Sequence, residues 1–191
     1  MGVDYAKLDE ATEGDGRRLR EGLGIASDAF VLFYTAEFSP RKSQQVLIRA
    51  IRDLPKSVVL VLCGDGTKRE ECRALSRELG VSDRVLFSGQ VENISIWYRM
   101  ADACVSSSRS EGLQFNIMEA MHLGLPVIAS DVKGDADLIE DGVNGLLYPY
   151  GDARACAGCI SCLMGNAALR EQMTKKADRA SNHMRWLLFS R

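Results

Sequence analysis

The chain has 191 residues, 46% of them hydrophobic and 26% charged, and a formal net charge of −2. That is enough for one substantial core, or two small ones, in a soluble globular protein. There is no basic block to bind nucleic acid and no run of about 18 apolar residues to span a bilayer.

In chain order, Asp9 to Gly24 is polar, and Arg17 to Leu23 predicts a short helix ended by glycine. Phe30-Val31-Leu32-Phe33-Tyr34 reads as a strand. Val46, Leu47, Ala50, Ile51 and Leu54 recur at helical spacing. Val58 to Leu62 is an apolar run buried on both faces, followed by Gly64-Asp65-Gly66. A charged helix over Lys68 to Leu79 stops at Gly80. Val85-Leu86-Phe87 is a short strand, and Ile94, Trp97 and Tyr98 mark a helix. Ala103 to Ser106 is strand, Phe115 to Leu123 is helix, and Gly124 with Pro126 ends it. Val127-Ile128-Ala129 is strand, Asp135 to Glu140 a short helix, and Leu146-Leu147-Tyr148 an edge strand. From Asp152 onward the pattern is helical.

Repeated strand–helix units imply an α/β fold, a Rossmann-like six-stranded parallel sheet with helices on both faces. Val58–Leu62 and Ala103–Ser106 are expected near its centre. Residues 1–191 are read as one domain, with a core over about 27–165 and a helical tail over 166–191. Ligands of such sheets bind beyond the carboxyl ends of the strands. The loops to watch are therefore Thr35–Lys42, Gly64–Thr67, Gly89–Glu92, Ser106–Asn116 and Ser130–Asp135.

Ser106–Asn116 carries the clearest chemistry. It runs from a strand through Ser110-Glu111-Gly112-Leu113-Gln114 into a helix. Free backbone N–H groups and the positive end of the helix dipole would meet there, which suits a phosphate. Gly112 would let a ligand approach the backbone closely. Glu111 and Glu119 are eight residues apart, one at each edge of that anion site. A nucleotide sugar fits this layout, with ribose hydroxyls, diphosphate and sugar hydroxyls in a row. The spacing alone equally allows Glu111 to cap the helix and Glu119 to be a solvated helix residue.

The segment resembles the E-x7-E motif of the family 4 retaining glycosyltransferases, the glycosyl transferases group 1, which have the GT-B fold. The likeness runs through Ser108-Arg109-Ser110-Glu111-Gly112, Glu119-Ala120-Met121, Gly124 and Pro126-Val127-Ile128-Ala129-Ser130-Asp131. It continues in Asp141-Gly142-Val143-Asn144-Gly145-Leu146-Leu147, Pro149 and Gly151-Asp152. It covers roughly residues 30 to 165.

The resemblance implies the C-terminal, donor-binding domain of a hexosyltransferase that keeps the anomeric configuration. The donor would be a nucleotide diphosphate sugar such as a UDP- or GDP-sugar. Glu111 and Lys42 take the catalytic roles. Glu111 would hold sugar hydroxyls and Glu119 the ribose. Lys42, Gly112 and the amides of Leu113, Gln114 and Phe115 would hold the diphosphate. Gly64 and Gly66 match the family's glycine-rich turn, and Gln90 and Val91 lie where the backbone meets the base. Family members carry an arginine five residues before the lysine. Here that position is Glu37, and Arg41 would supply the charge.

No cofactor or metal is implied. A sugar or lipid-linked glycan acceptor would bind an N-terminal domain that Met1-Gly2-Val3-Asp4 suggests is absent. The implied setting is cytoplasmic, with the full-length protein at a membrane surface. Two other readings stay open: a non-catalytic module of the same fold, and a nucleotide-sugar epimerase.

Six cysteines occur, at 63, 72, 104, 156, 159 and 162. Cys63 and Cys104 read as small core residues. Cys156, Cys159 and Cys162 are spaced for one side of a helix. The fourth cysteine followed by proline of a bacterial iron–sulfur run is missing. A reducing compartment fits this usage. His122 and His183 read as structural or solvated.

Overall fold

The computed structural model describes residues 3–112 and 114–177. Six strands form one sheet: β1 (Phe30–Thr35), β2 (Val58–Cys63), β3 (Val85–Gly89), β4 (Ala103–Val105), β5 (Val127–Ser130) and β6 (Gly145–Tyr148). Their order is β3-β2-β1-β4-β5-β6, and every pairing is parallel. The two middle strands are β1 and β4, and β2 lies one strand further out. The expected place of Val58–Leu62 is corrected accordingly. After β3 the chain crosses back to the far side of β1, so the strand order reverses between β1 and β4. That reversal opens a crevice at the carboxyl ends.

The period-2 alternation of β1 sorts its side chains onto two cores. Leu32 and Tyr34 pack with Leu47 and Ile51 of α3 (Gln45–Arg52) and with Ile160 and Leu163 of α7 (Ala153–Gly165). Val31 and Phe33 pack with Tyr98 of α5 (Ile94–Arg99) and with Ile117 and Met121 of α6 (Phe115–His122). Leu32, Tyr34, Val31 and Phe33 are all buried. Each such side chain contributes about 1.5–3 kcal/mol on burial. With both faces covered, the sheet has the expected doubly wound architecture.

Elsewhere the structure departs from expectation. Ahead of the sheet lie α1 (Tyr5–Leu8) and α2 (Glu13–Gly22). The predicted Arg17 start of α2 is too late. Thr12 accepts from the Asp15 N–H, and Asp15 accepts from the Thr12 N–H, a reciprocal cap that fixes the start at Glu13. Between β2 and β3, α4 (Arg69–Glu78) forms as expected.

The predicted helix over Asp135–Glu140 is a series of turns. Asn144 intercepts its backbone, accepting from the Glu140 N–H at 2.8 Å and donating to the Leu138 carbonyl at 3.2 Å. The C-terminal helix breaks at Asn166, and helical residues resume over 167–177. The tail over 178–191 lies outside the described residues.

Candidate functional site

Two loops from distant parts of the chain are fastened together at the carboxyl ends of β1 and β4. Ser107 Oγ donates to the Lys42 carbonyl at 2.8 Å. The Arg109 N–H donates to the Arg41 carbonyl at 2.7 Å. These bonds bring the side chains to one point. Lys42 Nζ donates to Glu111 Oε1 at 2.6 Å, and Arg41 Nη1 donates to Glu111 Oε2 at 2.9 Å. The Glu111 side chain is only 5% exposed, whereas Arg41 is 51% exposed. Two cations on one carboxylate leave the cluster net positive. Lys42 itself does not open α3. It lies in the preceding turn, where Ser43 has φ 50°. Glu37 is exposed, and its backbone carbonyl accepts from Gln44 Nε2 at 2.8 Å.

Beside this cluster, α6 begins without a side-chain cap. Its first-turn amides have no partner within the helix, as at any helix start. Gln114, the N-cap, turns its side chain inward instead. Asn116 Nδ2 is buried without a hydrogen-bond partner among the described residues, so it is a second donor left over at this end. A Cβ at Gly112 would meet nothing within 4 Å, so the backbone there faces open space. Leu113 lies outside the described residues.

Glu119, one turn further into α6, belongs to a different group. Tyr98 donates to Glu119 Oε2 at 2.8 Å. Burial raises the Glu119 pKa, and the Tyr98 hydrogen bond opposes that. Glu119 lines a cleft of about 410 Å³ with Thr35, Gly64, Gln90, Val91 and Ile94. A neighbouring hollow of about 680 Å³ shares Val91, Ile94 and Glu119 with it.

Gly64 and Gly66 have a mainly architectural part. At φ 122° and 149°, they let the loop after β2 press on the loop after β1. A Cβ at Gly64 would come within 2.1 Å of the Ala36 carbonyl oxygen, and one at Gly66 within 2.4 Å of the Phe38 carbonyl oxygen. Gly64 still borders the cleft, but Gly66 is not among the residues lining it.

The sequence reading missed a buried polar layer beneath the loop. Ser106, Ser107, Ser108, Ser130, Gln114 and Asp135 are all buried. Tyr34 OH pairs with Ser108 Oγ at 3.0 Å, and Ser130 Oγ donates to the Ser108 carbonyl at 2.6 Å. Gln114 Nε2 donates to Asp135 Oδ1. Burial pushes the Asp135 pKa up to about 7, against the Gln114 hydrogen bond. Three serines directly after an apolar strand were the available signal. Asp135 gave none, since it read as a helix start.

The remaining candidates fall away from the site. Cys156 is buried, Cys159 half-buried and Cys162 exposed. Steps of three residues rotate by 300°, so the row winds off the core rather than staying on one side. No group of three His, Cys, Asp or Glu poised for a metal occurs among the described residues. His122 Nε2 lies 2.8 Å from Asp9 Oδ1, and its ring lies 4.7 Å from that of Tyr5. It therefore ties the N-terminal segment to α6. His183 lies outside the described residues. No helix among the described residues is long and apolar enough to cross a membrane.

Comparison with known proteins bears on the same region. The family model for glycosyl transferases group 1 matches residues 15–180. EpsD of Bacillus subtilis (strain 168) is 36% identical over 166 residues, covering 85% of this chain and 44% of its own length. A D-inositol 3-phosphate glycosyltransferase of Xylanimonas cellulosilytica is 33% identical over 174 residues, covering 88% of this chain and 42% of its own. Anabaena HepE in complex with UDP and glucose superposes with a TM-score of 0.90 at 28% identity, over 95% of this chain and 50% of that one. Its complex with UDP-glucose gives 0.89 at 29% identity, over 95% and 51%. The chain thus spans about half the length of the relatives it matches.

Proposed function

The chain belongs to the glycosyl transferases group 1, and from that membership we propose that it binds the nucleotide-diphosphate-sugar donor of a retaining glycosyltransferase. One observation carries the reading. Lys42 and Arg41 converge on Glu111 beside the uncapped start of α6. This is a net positive site with spare amide donors, and a diphosphate needs both.

In this reading Lys42, Arg41 and the amides of Gly112 and Leu113 to Phe115 meet the diphosphate. They stabilise it as it departs, when its charge is greatest. Incoming phosphate competes with Glu111 for the two cations, and Glu111 then turns to the sugar hydroxyls. Glu119 accepts from the ribose in the cleft it shares with Gln90 and Val91, whose backbone meets the base. The positive charge that meets the donor comes from protein groups alone. The UDP complexes of HepE favour uracil as the base.

The acceptor, a sugar or lipid-linked glycan, is assigned to the other half of a two-domain enzyme. Orienting it can account for roughly 7–11 kcal/mol of a barrier. The present chain is therefore proposed to bind donor while transferring sugar poorly by itself. A lipid-linked acceptor would bring the full-length enzyme to the cytoplasmic face of a membrane.

The test is a thermal-shift screen against uridine, guanosine and adenosine diphosphates and their sugars. Ligand that binds only the native state raises the midpoint. A rise with UDP and UDP-glucose is expected. No rise with any nucleoside diphosphate would overturn the reading.

A further inference from the structure

Asp135 has no part in the donor contacts just described, yet it is fully buried at their base. We propose that Asp135 is a positioning residue for the diphosphate, holding Gln114 inward so that the first-turn amides of α6 stay open to the donor. The inference rests on the donor-binding reading.

Gln114 is the N-cap of α6, where a side chain ordinarily turns back onto the N2 or N3 amide. Here it makes no such bond. It is 2% exposed, and its Nε2 donates to Asp135 Oδ1 while lying 3.3 Å from Ser106 Oγ. An amide side chain released from that pair could reach the helix start and compete with phosphate for its donors.

Asp135 is itself anchored. Its Oδ2 lies 3.5 Å from Ser130 Oγ, and Ser130 donates to the Ser108 carbonyl. The turn that bears it also backs directly onto the donor loop. Gly134, at φ 98°, packs so closely that a Cβ there would lie 2.6 Å from the Gly112 carbonyl oxygen and 2.7 Å from that of Glu111. One turn thus supports the loop on both sides of Leu113, at Glu111–Gly112 and at Gln114.

Direct contact with phosphate is the less favourable role. Burial disfavours the charged form of Asp135, as does the Glu111 charge, with Lys42 opposing. A charged carboxylate beside a diphosphate would repel it. Its value lies in accepting from Gln114, which a neutral side chain of the same shape can also do.

The experiment titrates UDP calorimetrically into the native chain and into Asp135→Ala, Asp135→Asn and Gln114→Ala, with thermal unfolding measured on each. Asp135→Ala is expected to bind UDP about tenfold or more weakly while still folded, whereas Gln114→Ala, with no side chain left to compete for the amides, is expected to bind within about threefold of native. Asp135→Asn keeps an acceptor for Gln114 and is expected to bind within about threefold of native. A folded Asp135→Ala chain of native affinity would overturn the proposal, as would failure of Asn to restore binding. If Asp135→Ala does not fold, Gln114→Ala decides, and UDP affinity about tenfold or more below native in that folded variant would overturn it. A native chain that binds no UDP would sink the donor reading first, and this inference with it.

Discussion

Lys42 Nζ donates to Glu111 Oε1 at 2.6 Å across 69 positions of sequence. The contact is set by backbone, since Ser107 and Arg109 bond to the carbonyls of Lys42 and Arg41. Before donor arrives, the cation proposed to hold the diphosphate is thus held by the carboxylate proposed to hold the sugar. On the proposed reading, donor binding is an exchange of partners on a prebuilt frame.

That exchange separates affinity from stability. Lys42→Ala leaves a buried carboxylate with Arg41 alone. Removing one partner of a buried pair costs about 3–5 kcal/mol, and Arg41 should lessen that. Denaturant unfolding is expected to show a loss of about 1–3 kcal/mol, with UDP affinity down about tenfold or more. Lys42→Ala with Glu111→Gln should recover most of the stability but only the part of the affinity that a freed Arg41 supplies, well short of native. Full recovery of both would mean that Lys42 never meets the ligand.

The two glutamates should act with different signs. Glu119→Gln is expected to weaken UDP and UDP-glucose alike, since Glu119 shares its cleft with Gln90 and Val91. Glu111→Gln removes a competitor for Lys42 and Arg41. UDP should then bind at least as tightly as to the native chain, and any preference for UDP-glucose should fall. Calorimetric titration of both ligands into both variants checks this. Equal losses throughout would show that the roles are wrongly divided.

Gly66 is expected to matter for folding rather than for ligand. Ala there would need φ near 149° and a Cβ within 2.4 Å of the Phe38 carbonyl oxygen. Strain of this kind costs about 1–3 kcal/mol. Gly66→Ala should unfold at a lower temperature, while the folded fraction binds UDP normally. A native midpoint with weakened UDP binding would instead make Gly66 a ligand contact.

Asp135 should tilt the pH dependence of stability. Its folded pKa is about 7, against 3.8 for the free side chain. Between those values the folded state holds more protons than the unfolded state, so stability falls as pH rises. The contribution is constant below about 4 and above about 7. Asp135→Asn does not titrate, so its midpoint should gain on the native one as pH rises through that window. Glu119 is raised too and acts with the same sign in both chains, so it drops out of the comparison. A difference flat with pH would contradict the buried-acid reading.

Much of this was legible in the sequence because its causes are local. The apolar runs at Val31 and Val58, the glycine stops at Gly80 and Gly124, and the helical spacing from Val46 fix strand and helix by pattern. The glutamates of the E-x7-E segment could be named for the same reason. Strand order was less accessible. Only the crossover after β3 makes β1, rather than β2, a middle strand. The start of α2 was missed because the Thr12–Asp15 pair replaces the usual glutamate with aspartate. Asp135 was invisible because its partners, Gln114, Ser130 and the backbone against Gly134, meet only in three dimensions.

Most directly, the central claim is tested by backbone amide chemical shifts recorded while UDP is added to the isotope-labelled chain. The claim is that donor binds across the start of α6 and into the Glu119 cleft. The expected shifts fall at Lys42, Gln90, Val91, Gly112 and Phe115 to Ile117, with those around Arg17, Arg20 and Arg99 unmoved. UDP binding that leaves the α6 amides unmoved, or shifts confined to the Arg17–Arg20 side, would contradict it.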